Sequence, residues 1–176
     1  MSIQKFFLFL IAVAILGSGA SAQKAAAGTA KVDPAKAVRD AFDRLVEGIR
    51  QVDAEKLMSV YYRNENILFF NTNGSVTRGW QQMKENRDSS FGKTKNVSLE
   101  TTGVNVELLS PTAAYISFKW KQQQEYDGKL ETASGRTTLV FKKIGKDWKA
   151  VHLHSSPDNP APTRPVLDSE RIKTDQ

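Results

Sequence analysis

Residues 97–155 read as four consecutive strands, and that meander leaves a chain of 176 residues little choice of fold. Residues 97–109 run to a turn at Ser110 and Pro111. Residues 113–125 alternate, with Ile116, Phe118 and Trp120 on one face and Tyr115, Ser117, Lys119 and Lys121 on the other. Asp127-Gly128 is a two-residue hairpin signal, after which residues 130–142 return. The last hairpin occupies residues 131–155, ETASGRTTLVFKKIGKDWKAVHLHS, and turns at Gly145, Lys146 and Asp147. Its second strand carries the only two histidines of the chain, His152 and His154. Strands of this length exceed the usual run of about five or six residues. A small sheet built from them has to twist and bend.

Helical patterns precede the meander. Asp33 is placed to cap a helix with Pro34 at its first position, and Val38, Ala41, Phe42, Leu45, Val46 and Ile49 form one apolar stripe. Asp53 caps a second, short helix in which Leu57, Met58 and Tyr61 can face inward. Residues 66–71 form a short strand, Asn73-Gly74 signals a turn, and residues 75–78 return. Gly79 ends that strand, and residues 80–91 read as a third helix, polar on most sides and anchored by Trp80 and Met83. This order predicts an α+β fold, with about three N-terminal helices gathered on one face of a curved antiparallel sheet and a conical cavity between them.

Outside this domain the sequence changes character. Residues 1–22 carry a short positive start, an apolar run from Phe6 to Leu16, and Ala20-Ser21-Ala22 before Gln23. That pattern predicts a cleaved signal peptide and a periplasmic or secreted protein, with an uncleaved anchor as the alternative. No cysteine is present to carry a lipid or a disulfide, so an exported domain would rely on its own core. Residues 23–34 read as a flexible mature N-terminus, 35–156 as one domain, and 157–176, with Pro157, Pro160, Pro162 and Pro165, as a disordered tail. The formal net charge is +6, but lysines and arginines are interspersed with acids. A solvated basic surface is the reading, with no nucleic-acid partner and no membrane association after cleavage.

The opening amphipathic helix followed by VDAEKLMSVYY, the entry VTRGW, and GRTTLVFKKIGKDWKAVHLHSS together resemble the nuclear transport factor 2-like superfamily, specifically its SnoaL-like and DUF4440-like exported bacterial members. Trp148, Val151, His152, His154 and Ser155 are also similar to the end of the calcium/calmodulin-dependent protein kinase II association domain. The resemblance spans residues 35–156 and implies a cone-shaped fold and a homodimer formed through the sheets. It leaves activity open, since this superfold hosts isomerases, cyclases, dehydratases, binders and oligomerisation modules. The ketosteroid-isomerase-like members use an aspartate base. Here Asp40, Asp43, Asp53, Asp88, Asp127 and Asp147 all fall on helices or in turns, so that pattern is not visible. The kinase domain's pocket arginines are not reproduced either, with Lys119 and Leu139 at two of their places.

The candidate site follows from strand parity. His152 and His154, two apart, are expected on one side together with Trp148 and Ala150. Arg136 on the neighbouring strand offers a planar fork of donors for a carboxylate. The expected cavity is built from Tyr61, Trp80, Trp120, Arg136, His152 and His154. His152 or His154 would act as proton acceptor with Tyr61 or Tyr62 as donor if the protein is catalytic. A register error of one residue would instead put both histidines on the outer face. Zinc would need a third protein ligand, which Glu100, Glu107, Glu125 or Glu131 would have to supply from another strand, and no metal or other cofactor is expected. The leading expectation is a binder of a small, partly apolar ligand, carboxylate-bearing in one version. A lyase, cyclase or isomerase and a structural dimerisation module are the alternatives.

Overall fold

The computed structural model describes residues 33–159. The expected signal segment, nearly all of the expected linker and most of the expected tail lie outside the described residues. No helix among those described is long and apolar enough to cross a membrane.

Helix α1, Pro34–Arg50, begins where Asp33 accepts a hydrogen bond from the Ala35 amide at 3.0 Å. Its stripe of Val38, Ala41, Phe42, Leu45 and Val46 is buried, while Lys36–Asp40 and Arg39–Asp43 pair across exposed turns. Helix α2, Ala54–Ser59, is capped by Asp53, which accepts from the Lys56 amide at 2.8 Å. The two helices touch backbone to backbone at Gly48, where an added Cβ would stand 2.6 Å from the Leu57 nitrogen. Strands β1, Leu68–Phe70, and β2, Val76–Arg78, form the short hairpin, and helix α3 spans Trp80–Phe91. Lys84 ties α3 to α2 by bridging Asp88 at 2.6 Å and Glu55 at 2.8 Å.

The meander comprises β3, Thr94–Ser110; β4, Ala113–Tyr126; β5, Lys129–Ile144; and β6, Asp147–Pro157. β3 starts three residues before the expected strand, because Thr94 and Lys95 already pair with Tyr126 and Glu125. β6 likewise includes Pro157, paired with Gly135. The six strands lie in the order β2-β1-β6-β5-β4-β3. Every neighbouring pair is antiparallel except β1 and β6, which run parallel with Leu68 opposite His152 and Phe70 opposite His154. The expected bend has visible causes. Pairing of β3 with β4 slips between Lys95 and Ser98 and between Thr102 and Asn105, at Asn96 (φ 52°) and Gly103 (φ 59°). Such bulges strengthen local twist and turn the strand.

The inner face carries the core. Ala114, Ile116 and Phe118 of β4, Leu139 and Phe141 of β5, Ala150 of β6 and Phe69 of β1 are buried against Phe42, Leu45 and Met58. Phe42 meets Phe118 edge-on at 4.8 Å and Tyr61 meets Phe69 at 5.0 Å, favourable arrangements for aromatic rings.

One irregularity decides which side chains join this core. Phe141 pairs with Ala150 and Val140 with His152, so Val151 is an extra residue in β6. Trp148 and Ala150 are buried on the inner side before this bulge. After it the alternation is inverted, and Leu153 and Ser155 face inward.

Candidate functional site

Between α1, α2, α3 and the sheet lies a cavity of about 620 Å³. That size falls within the range of small-molecule pockets, about 300–1,000 Å³. Its deeper lining is apolar, from Leu45, Ile49, Leu57, Phe69, Phe118 and Leu139 among others. Toward the hairpin of β4 and β5 it turns polar, with Gln122, Gln124 and Glu131. There Gln122 donates to the Gln124 side-chain oxygen at 2.6 Å, and Gln124 to a Glu131 carboxylate oxygen at 3.1 Å.

Two of the residues expected in the cavity line it, Tyr61 and Trp120. The Trp120 indole donates to the Thr137 hydroxyl at 3.0 Å. Gly135, directly across from Trp120, is what lets the ring lie there: a Cβ would fall 2.7 Å from its Cζ2 atom and closer still to the Ser156 carbonyl oxygen. Tyr61 is buried, and desolvation pushes its phenol well above the usual tyrosine range, with Arg87 nearby opposing the rise. Tyr61 is therefore a neutral hydrogen-bond donor at physiological pH and not a base.

The other four expected residues are elsewhere. Trp80 donates its indole N–H to the Met58 carbonyl at 3.0 Å, closing the end of α2, and the Arg63 guanidinium lies over its ring at 4.8 Å. Its polar edge is spent on the fold. Arg136 is exposed and pairs across the strands with Lys119, on the side opposite Thr137. His152 and His154 take the outer face with Arg136, because the extra residue Val151 inverts the alternation counted from Trp148 and Ala150. The Phe70 ring stands edge-on to both, at 5.2 and 5.5 Å. His152 Nδ1 lies 3.0 Å from the Leu68 carbonyl oxygen; that oxygen only accepts, so Nδ1 carries the proton. Neither histidine reaches the cavity as a proton acceptor, and among the described residues no three histidine or carboxylate side chains cluster as metal ligands.

Arg87 is the residue that sequence reasoning missed. It lines the cavity from α3, half-buried, together with Met83, Asn86, Ser90 and Phe91. Burial lowers its pKa from the usual arginine value, yet a guanidinium stays charged near neutrality. No carboxylate pairs with it among the described residues. Of the described residues that line the cavity it is the one cation, and exposed Glu131 is the one carboxylate. The signal was present in the sequence: Met83, Arg87 and Phe91 recur at a spacing of four, so an arginine sits on the inward stripe of an otherwise polar helix.

The sheet wall adds a chain of hydroxyls. Thr72, from the turn between β1 and β2, donates to Ser155 at 2.9 Å, and Ser155 and Thr137 lie 2.8 Å apart. Seen chemically, the site combines an apolar pocket, a lone cation with a neutral phenol beside it, and a hydroxyl-lined sheet. It suits recognition of an amphipathic small molecule and lacks a histidine for proton transfer.

Comparison with known proteins agrees with this architecture. Residues 38–160 match the family model for the SnoaL-like domain. No match was found among curated proteins. Solved structures with this fold include a nuclear transport factor 2-like superfamily protein from Salmonella enterica serovar Typhimurium, 23% identical over 73% of this chain and 93% of that one, with a TM-score of 0.65. A ketosteroid isomerase-like protein from Erwinia carotovora is 13% identical over 74% and 100%, with a TM-score of 0.62. A proposed calcium/calmodulin-dependent protein kinase II association domain from Xanthomonas campestris is 19% identical over 68% and 84%, with a TM-score of 0.58. With that family model covering helices, sheet and cavity alike, the chain belongs to the SnoaL-like family of the nuclear transport factor 2-like fold.

Proposed function

We propose that this protein binds a small, partly apolar anion, a carboxylate in the simplest case, in the cavity between its helices and sheet. The observation that carries the reading is Arg87. A half-buried guanidinium without a carboxylate partner among the described residues is costly to keep in an apolar pocket, and its planar fork of donors matches a carboxylate. The neutral Tyr61 phenol beside it supports the same preference for an acceptor. The apolar lining supplies the remaining contact area.

In the same reading the protein is exported and works as a homodimer. Half-buried Tyr115, Val140, Leu68 and Phe70 on the outer face support pairing with a second copy. Light scattering at micromolar concentration tests the dimer, and N-terminal sequencing of the processed protein tests cleavage before Gln23.

Binding is tested by calorimetry with phenylacetate and 3-phenylpropanoate. Arg87→Gln is expected to weaken binding by about ten- to a hundredfold, the usual loss of a charged hydrogen-bonded partner. Arg136→Gln, on the opposite face, is expected to change it less than about twofold. Equal binding by wild type and Arg87→Gln would overturn the reading.

A further inference from the structure

We infer that the ligand of this cavity carries a hydroxyl or N–H group, which it donates to Thr137 on the sheet wall, in addition to the anionic group held at Arg87. The inference rests on the anion-binding reading and adds the second half of the recognition pattern.

It follows from accounting for protons. The Arg136 carbonyl oxygen, 3.4 Å from Ser155 Oγ, has no proton to give, so the Ser155 hydroxyl donates to it. Ser155 has one proton and a closer neighbour in Thr137, 2.8 Å away, where either oxygen can be the donor. Thr72 donates to Ser155 at 2.9 Å, and the arrangement in which Thr137 donates to it as well is the one that leaves the Ser155 proton for the Arg136 carbonyl and gives every hydroxyl proton an acceptor. Thr137 in turn accepts from the Trp120 indole, which is a donor only. In that arrangement every proton of the chain Trp120–Thr137–Ser155, and that of Thr72, is directed along the wall. What Thr137 and Thr72 have left for the cavity are lone pairs. Both residues line it.

Elsewhere in the cavity the polarity is reversed, since Arg87 of α3 and the neutral Tyr61 phenol offer protons. The cavity thus presents donors at Arg87 and Tyr61 and acceptors at Thr137 and Thr72, with apolar side chains completing its lining. A molecule that satisfies both sets is a hydroxy acid, or an acid with an amide or amine N–H, on an apolar body. A plain fatty or aryl acid satisfies only the first set. A ketone or ether placed at Thr137 would meet lone pair against lone pair.

The test uses phenylacetate, 3-phenylpropanoate and 4-phenylbutanoate, each compared with its 4-hydroxy and 4-methoxy derivatives by calorimetry on the full chain. At one chain length at least, the 4-hydroxy member is expected to bind about three- to tenfold tighter than the parent, the usual worth of one neutral hydrogen bond. The 4-methoxy member, which accepts but cannot donate, is expected to show no gain. Ser155→Ala releases the Thr137 proton, and there the 4-methoxy member is expected to gain relative to wild type. Thr137→Ser, which keeps the hydroxyl, retains the preference, whereas Thr137→Val loses it. Arg87-dependent binding of all members without a hydroxyl preference at any length would overturn this inference and leave the anion reading standing. Failure of every carboxylate to bind would overturn both.

Discussion

The two faces of β6 carry different chemistry. On the inner side Leu153 and Ser155 face a cavity that holds the cation Arg87. On the outer side His152 and His154 pack against Phe70, and Arg136 stands exposed beside them. The residue types most often recruited for chemistry are on the outer face. Plain hydroxyls, an indole and one helical arginine occupy the inner one. The difference teaches that in a bent sheet the position of a bulge outranks residue identity, because a single extra residue reassigns every side chain beyond it.

The comparison breaks most readily at Arg87. Beyond its effect on binding, Arg87→Met is expected to stabilise the fold by about 0.5–2 kcal/mol, as when a functional charge is removed from an apolar site. Thermal unfolding measures this, and a clear loss of stability would show that Arg87 serves the fold instead. Gly135→Ala attacks the inner wall from behind. Its Cβ would overlap Trp120 and the Ser156 carbonyl, so a loss of about 1–3 kcal/mol is expected, with a shifted tryptophan emission. Wild-type stability and an unchanged spectrum in that variant would mean that the ring does not need the glycine.

A pH series sharpens the contrast on the inner side. The phenol of Tyr61 is held above its ordinary value, so the folded state keeps this proton while the unfolded chain releases it near pH 10. Its contribution to stability is full below about pH 10 and is lost as pH rises through the raised value. Denaturant unfolding between pH 9 and 11 is expected to show a fall in wild type that is shallower in Tyr61→Phe. Parallel curves would contradict the assignment.

The smallest effects belong to the outer face. His152→Ala removes the bond to the Leu68 carbonyl and an edge contact to Phe70, at a cost of about 1 kcal/mol. Exposed His154→Ala is expected to cost less. Carboxylate affinity in both should stay within about twofold of wild type. A tenfold change in either would return the histidines to the functional site.

Much of the fold was legible because its signals are local. Asp33 and Asp53 cap the helices as expected, Asn73-Gly74 and Asp127-Gly128 turn the chain, and the alternation of Ile116, Phe118 and Trp120 marks the inner face of β4. The site was half legible. The inward directions of Tyr61, just beyond α2, and of Trp120 on β4 are fixed by apolar neighbours. Arg136 has the chemistry of a site residue, but Leu139 and Phe141 on the same strand share the parity of Thr137, which leaves the arginine on the opposite face. The histidines were misplaced because nothing in WKAVHLH announces a bulge: the extra residue Val151 is set by pairing with β5, a tertiary event.

A crystal structure with bound 3-(4-hydroxyphenyl)propanoate tests the central claim most directly, since both faces of the sheet offer a cation. The carboxylate is expected on Arg87 in the cavity, with the ring among Leu45, Phe118 and Leu139 and the phenol directed at Thr137. A carboxylate found instead on the outer face, between Arg136 and Lys119, would contradict the account.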